Sequence, residues 1–209
     1  MPPYLGPLVK TILFTIVVPG SVAVGIPYLL MGEVPAPELG PLAVFGLLVI
    51  GAGASIYFRC AWEFSVRGLG TPAPIAPTKF LVVGGLHRYV RNPMYLGVAL
   101  VIVGEAALFR APHLAEYAAL MLLIAHLFVI FYEEPTLHRQ FGDSYDEYRR
   151  AVPRWIPRIG KCIRAIGIAR IDLAPPPLLP SNVCPPARAP SYGRQTSLTA
   201  FCLLIIFQV

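Results

Sequence analysis

Charge is what this chain has least of. Only 13% of its 209 residues are Asp, Glu, Lys or Arg, about half the roughly 25% of a soluble domain. Hydrophobic residues make up 56%, and that surplus of apolar surface calls for lipid as its solvent. Cysteine is sparse too. Cys60, Cys162, Cys184 and Cys202 lie far apart, form no metal-ligand spacing and read as free thiols rather than a disulfide framework. No Cys/His metal cluster occurs, and no nucleotide-binding glycine fingerprint follows a strand. The net charge of +6 is a weak sign of nucleic-acid binding, because the Lys and Arg cluster beside apolar runs as juxtamembrane charges do.

What the chain does contain is a series of apolar runs. Pro7 to Met31 exceeds the about 20 residues a span needs. It is long, contains Lys10 and lacks a small-residue cleavage site, so it reads as a membrane helix that stays. Pro19, Gly20, Gly25 and Pro27 are expected to kink or loosen it. Pro41 to Trp62 is the second span, rich in small residues (Gly46, Gly51, Gly53, Ser55) that allow close helix packing. Arg59 and Glu63 at its end are four apart and can pair, and they read as a solvated helix terminus. The prolines of Gly68 to Pro77 exclude a regular helix there. Pro93 to Phe109 is a short third span of about 17 residues, and Leu114 to Tyr132 is the fourth, joined to the third as a helical hairpin. Asp143 to Val152 patterns as an amphipathic helix on the membrane surface, with Tyr145, Tyr148 and Val152 on one side. The expected architecture is an all-α integral membrane bundle with about four main transmembrane helices. Residues 1–158 would form its membrane domain, with two N-terminal spans in 1–63 and the ligand-binding part in 64–158. Residues 159–209 are a proline-rich linker and a short apolar tail with no assigned function.

Orientation follows from the cations. Arg67, Lys79, Arg88 and Arg91 lie between the second and third spans, and Arg139, Arg149, Arg150, Arg154, Arg158 and Lys161 follow the fourth. The loop after the first span has neither Lys nor Arg. This bias places both polar segments on the cytoplasmic side.

Those two segments carry the chemistry. Arg91 offers a planar fork suited to a carboxylate. Glu133 and Glu134 offer anionic acceptors for an ammonium or for ribose hydroxyls, and Tyr89 and Tyr95 offer aromatic faces and hydroxyls. The start of the third span adds unpaired N–H groups and a positive dipole end. In an antiparallel hairpin the start of one helix lies beside the end of the next, so Arg91 to Tyr95 and Glu133-Glu134 would meet at one membrane depth. Such a group suits a small zwitterion with a cationic amine, a carboxylate and an aromatic base. The bland alternative is ordinary: arginine and tyrosine beside a bilayer commonly snorkel or form belts, and glutamates after a span are commonly solvated.

The pattern Gly85-x-His87-x-x-x-Arg91-Asn92-Pro93-x-Tyr95-x-Gly97, then Glu133-Glu134, then Phe141-Gly142-x-x-Tyr145-x-x-Tyr148-x-x-x-Val152-Pro153-x-x-Ile156-Pro157, resembles the C-terminal signature of the isoprenylcysteine carboxyl methyltransferase and phospholipid N-methyltransferase superfamily. The resemblance covers roughly Thr71 to Pro157. It implies an integral membrane methyltransferase that uses S-adenosyl-L-methionine on the cytoplasmic side and admits a lipophilic acceptor between helices. It implies cofactor contacts from His87, Tyr89, Arg91, Asn92, Pro93, Tyr95, Gly97, Glu133 and Glu134, with Arg91 and Glu133 nearest the chemistry. Asn92 stands where prenylcysteine enzymes have histidine, and His87 where many relatives have tyrosine. A carboxylate acceptor needs no general base, whereas an amine must lose a proton to Glu133, Glu134 or His87. O-methylation and phospholipid-type N-methylation therefore both stay open. A membrane NADPH-dependent reductase with a similar hairpin and a non-catalytic membrane scaffold are the rivals.

Two further ionisable residues sit inside spans. His126, seven before Glu133, is a candidate for the wall of the acceptor tunnel or a packing residue. Glu105 is expected to pair with Arg110 or His113 at the membrane surface.

Overall fold

The computed structural model describes residues 5–34, 36–38, 40–66 and 81–157. The proline-rich stretch Gly68 to Pro77 and the tail from 159 onward lie outside the described residues. Helix α1 (Leu5–Gly20) passes through a π-helical turn at Ser21–Gly25 and continues as α2 (Ile26–Met31). Pro19 and Pro27 flank that turn. A proline ring crowds the carbonyl four residues back, and a widened turn relieves the crowding while the helix continues. Helix α3 (Pro41–Val66) follows, then α4 (Pro93–Leu108) and α5 (Pro112–Phe128). A second π-helical turn at Val129–Glu133 carries α5 into α6 (Glu134–Phe141), and α7 (Asp143–Ala151) completes the described elements.

Three stretches, Leu8–Met31, Pro41–Val66 and Pro112–Phe141, are long and apolar enough to cross a membrane, and Pro93–Leu108 is a shorter apolar helix. There is no strand among the described residues. The chain is an all-α membrane helical bundle. Helix α4 has 16 residues, about 24 Å, against the about 30 Å of a hydrocarbon core. Helix α3 has 26 residues, about 39 Å.

Glycines set how closely α3 and α4 approach. A Cβ on Gly53 would stand 2.6 Å from the Gly97 carbonyl oxygen, and one on Gly104 would stand 2.7 Å from the Gly46 carbonyl oxygen. The pairs 46/104 and 53/97 fix an antiparallel crossing in which backbone touches backbone. In lipid there is no hydrophobic drive between helices, so such contact supplies the adhesion through dispersion. Polar bonds add to it. Ser65 donates to Thr11 Oγ1 at 2.9 Å, the Thr15 and Tyr57 hydroxyls lie 2.9 Å apart, and Tyr117 donates to the Val22 carbonyl at 2.9 Å. Residues 11 and 15 meet 65 and 57, so α1 also runs antiparallel to α3. The start of α1, the end of α3 and the start of α4 therefore share one end of the bundle.

Three expectations change. Glu63 is not at a solvated terminus: its side chain is 2% exposed and faces Arg59 Nε at 3.4 Å and His87 Nδ1 at 3.9 Å. Helix α3 is longer than its apolar run, and its last turns are covered by the loop that precedes α4. Glu105 does not pair with Arg110 or His113. Arg110 bonds Glu38 at 2.7 Å, and Glu105 Oε2 is buried with no hydrogen-bond partner among the described residues. Finally, Tyr145 and Tyr148 of α7 are buried in protein rather than set in lipid.

Candidate active site

The site lies where α4 begins and α5 ends. Pro93 at the first turn of α4 has no N–H to lose there and pre-sets the helical φ. The loop before it turns at Gly85, whose φ of +56° is in the left-handed region. A Cβ at Gly85 would also run into the Glu63 carboxylate, so both backbone and packing require glycine. The Tyr148 hydroxyl donates to the His87 carbonyl at 2.8 Å, and the Arg91 N–H donates to the Pro153 carbonyl at 2.9 Å. The loop is thus held by α3 on one side and by α7 and the strap 152–157 on the other.

On the α5 side, the π-helical turn ends at Glu133 and Pro135 opens α6. The helical path continues past the end of the apolar run at Tyr132. Pro135 removes one N–H from the ladder, and the widened turn absorbs both the missing bond and the ring.

The two ends meet. Tyr95 donates to Glu133 Oε2 at 3.3 Å, and Arg91 Nη1 lies 3.2 Å from Glu134 Oε1. The adjacent glutamates then take different parts. Arg154 grips Glu134 with Nε to Oε1 at 2.7 Å and Nη2 to Oε2 at 3.0 Å. With Arg91 added, the Glu134 carboxylate is buried and saturated by two guanidinium groups. This bond holds the Arg154 guanidinium still more firmly in its charged form. Glu133 is half-buried and has only the Tyr95 hydroxyl as a hydrogen-bond partner among the described residues. Arg91 Nε is buried with no partner among them. Burial, with the nearby Glu134 charge, pushes the Tyr145 hydroxyl up to about 12 against the opposing pull of Arg91. Burial likewise raises Tyr148 well above the ordinary tyrosine range.

The remaining sequence-predicted residues divide. Asn92 is buried and donates from Nδ2 to the Arg154 carbonyl at 3.3 Å, so it fastens the strap instead of capping α4. Pro93 is buried under the site. Gly97 faces Gly53 on α3, and His87 faces Glu63 and the edge of Phe64. Tyr89 is 53% exposed and stands outside the cluster.

Sequence reasoning missed Arg154 and Trp155. They occupy the two unspecified positions of Val152-Pro153-x-x-Ile156-Pro157, and they bring the strap onto the site. The Trp155 indole N–H donates to His126 Nδ1 at 2.8 Å, and the Trp155 ring lies 6.3 Å from that of Tyr95 and 6.0 Å from that of His126. An arginine directly before a tryptophan, close after a helix bearing paired glutamates, was the available signal.

The cluster joins an anionic acceptor, a partly unpartnered guanidinium and the N-terminus of α4 within one small space, with an aromatic wall beside them. It can bind a small molecule that carries both an ammonium and a carboxylate. Residues 42–144 match the model of the phospholipid methyltransferase family. The chain is 36% identical over 84 residues to the Protein-S-isoprenylcysteine O-methyltransferase of Schizosaccharomyces pombe, an alignment covering 38% of this chain and 34% of that protein. It is 37% identical over 87 residues to the Methanethiol S-methyltransferase of Crocosphaera subtropica, covering 41% of this chain and 32% of that one. The chain thus spans about a third of the length of these relatives. The family match takes in α3, which the motif resemblance left out, and it stops before Tyr148 and the strap.

Proposed function

We propose, from the match of residues 42–144 to the phospholipid methyltransferase family model, that this chain is an integral membrane methyltransferase using S-adenosyl-L-methionine on a lipophilic acceptor. The observation that carries the reading is the meeting of Arg91, Tyr95, Glu133 and Glu134 at the junction of α4 and α5. The residues fit the donor molecule. Glu133 has capacity left for an ammonium or ribose hydroxyls, and the buried Arg91 Nε supplies a donor for its carboxylate. Tyr95 and the first turn of α4 complete the surround. Glu134 is not a ligand contact in this scheme, since its oxygens are taken by Arg91 and Arg154. It sets where the Arg91 guanidinium stands. Asn92 and Pro93 support the cradle from beneath, and Gly97 fixes the distance to α3.

When bound there, S-adenosylmethionine supplies a methyl group on a sulfonium, whose C–S bonding pair stays with sulfur as the acceptor's lone pair forms the new bond. The protein's part is to orient both partners and to exclude water. A carboxylate acceptor, as in isoprenylcysteine-type O-methylation, arrives ionised and needs no base. A phospholipid amine or a thiol must give up a proton, and Glu133 is the group with capacity to take it. Glu134 is saturated and His87 is turned to α3.

The positive charges between α3 and α4 and after α5 support a cytoplasmic position for this site. We assign the activity to residues 1–158 and none to 159–209.

The test is titration calorimetry of detergent-purified chain with S-adenosylmethionine and with NADPH, followed by transfer of a radiolabelled methyl to an S-farnesylcysteine derivative, phosphatidylethanolamine and methanethiol. Heat with S-adenosylmethionine alone and a labelled product are expected, and base-lability of the label then separates an ester from an amine. Heat with NADPH alone would make the chain a reductase, and no heat with either would make it a scaffold.

A further inference from the structure

His126 is a polar residue on an apolar helix. Its neighbours Leu123, Ile124 and Leu127 are exposed on the lipid-facing side of α5, while His126 itself is half-buried on another side. Its ring meets Trp155, and Trp155 meets Tyr95, which bonds Glu133. The three rings form a continuous wall that begins at Glu133 and reaches about two helical turns, roughly 10 Å, toward the membrane interior.

The hydrogen bond within that wall has a definite direction. An indole N–H is a donor only, so the Trp155 bond at 2.8 Å requires a lone pair on His126 Nδ1. A histidine whose Nδ1 carries a lone pair keeps its proton on Nε2. His126 is then a neutral Nε2–H donor, and it accepts through Nδ1 from Trp155 alone. No acceptor for that Nε2–H lies among the described residues. A donor left open in an apolar wall favours a ligand group with lone pairs and disfavours an ammonium, which would bring N–H against N–H.

Resting on the function proposed above, we propose that Trp155 locks His126 as an Nε2–H donor and that this donor holds the carboxylate of the lipophilic methyl acceptor. Trp155 is a positioning residue, and His126 touches the acceptor. The Trp155 indole reaches His126 because the strap is pinned by Arg154 to Glu134 and by Asn92 Nδ2 to the Arg154 carbonyl. The donor half and the acceptor half of the site thus share one fastening.

The full chain in detergent, labelled with ¹⁵N-histidine, decides this. Its four histidines are few enough to assign, with His126 identified by its loss in His126→Gln. Palmitate is the carboxylate probe and hexadecylamine the ammonium probe. A single Nε2–H tautomer is expected for His126, shifted by palmitate and not by hexadecylamine. Trp155→Phe keeps the ring and deletes the N–H. It is expected to let the two ring nitrogens exchange the proton and to weaken palmitate binding about fivefold, the scale of one lost neutral hydrogen bond. His126→Gln retains a donor at the Nε2 position and keeps palmitate binding, whereas His126→Leu loses it. The proposal is overturned if palmitate leaves His126 unshifted, if hexadecylamine shifts it equally, or if His126→Leu binds palmitate as the wild type does. A Trp155→Phe protein that keeps one tautomer overturns the lock. Should that variant fail to fold, palmitate binding by His126→Gln and His126→Leu decides between the outcomes. Loss of S-adenosylmethionine binding in the wild type would instead defeat the methyltransferase reading, which the palmitate experiment does not touch.

Discussion

Replacing each of the adjacent glutamates by glutamine should separate binding from stability. Glu134 accepts from Arg154 at 2.7 and 3.0 Å and lies 3.2 Å from Arg91. Its side chain is 11% exposed, that of Arg91 10%, and that of Arg154 29%. Breaking a buried ion pair costs about 3–5 kcal/mol because the partner charge is left uncompensated. The part-exposed Arg154 lowers this, and the amide oxygen still accepts one bond, so about 3 kcal/mol is expected for Glu134→Gln. For a chain of this size that is a fall in melting temperature of roughly 6–12 °C. Glu133→Gln has little to disturb, because the amide oxygen still accepts from Tyr95. Its melting point should stay within about 3 °C, the scale of one altered neutral hydrogen bond. It does lose the charge that would hold an ammonium, so S-adenosylmethionine should bind at least about tenfold more weakly, roughly 1.4 kcal/mol. Thermal melts and calorimetry on the same purified samples read both quantities. Equal melting losses in the two variants, or a tenfold affinity loss in Glu134→Gln without destabilisation, would refute the division of roles.

Other expectations are more local. Gly53→Val should destabilise by about 1–3 kcal/mol or more, since its side chain meets the Gly97 backbone and the two helices must separate; a detergent melt equal to wild type would contradict the crossing. Gly85→Ala should cost about 2 kcal/mol from the left-handed φ alone, and should also release the Glu63 contact, seen as faster proteolysis of the loop before α4. The Tyr145 hydroxyl is raised to about 12 in the folded chain from about 10 when unfolded. Its contribution is therefore fully present below pH 10 and lost as pH rises through 12, and Tyr145→Phe should flatten that alkaline loss of stability. Ultraviolet titration of tyrosinate alongside unfolding would measure it. Tyr148→Phe removes the bond to the His87 carbonyl and should cost about 1 kcal/mol, with an unchanged melt as the contrary result.

The antiparallel arrangement of α4 and α5 was legible because it needs only two apolar runs and a short turn, and it was enough to bring Arg91 near Glu134. Small residues in α3 announced close packing, although not that Gly97 was their partner. Pro19, Gly20, Gly25 and Pro27 marked the place where α1 widens. The rest depended on contacts that no local pattern carries. Glu63 looked solvated because helix termini usually are, and only the loop folded over α3 shows otherwise. Glu133 and Glu134 looked equivalent because their inequality comes from Arg154, twenty residues away in sequence. Tyr145 and Tyr148 gave a sound amphipathic pattern, but periodicity cannot distinguish a face that meets lipid from one that meets protein.

The strap also gives the site an order of assembly. Arg154 and Trp155 are the last described residues to join it, after the described membrane helices have been synthesised. A nascent chain halted before them can insert its spans and bring Arg91 beside Glu134, yet it lacks the bidentate grip and the indole that orients His126. On the function proposed above, ligand capture would begin only after the ribosome has moved past the last of the described helices.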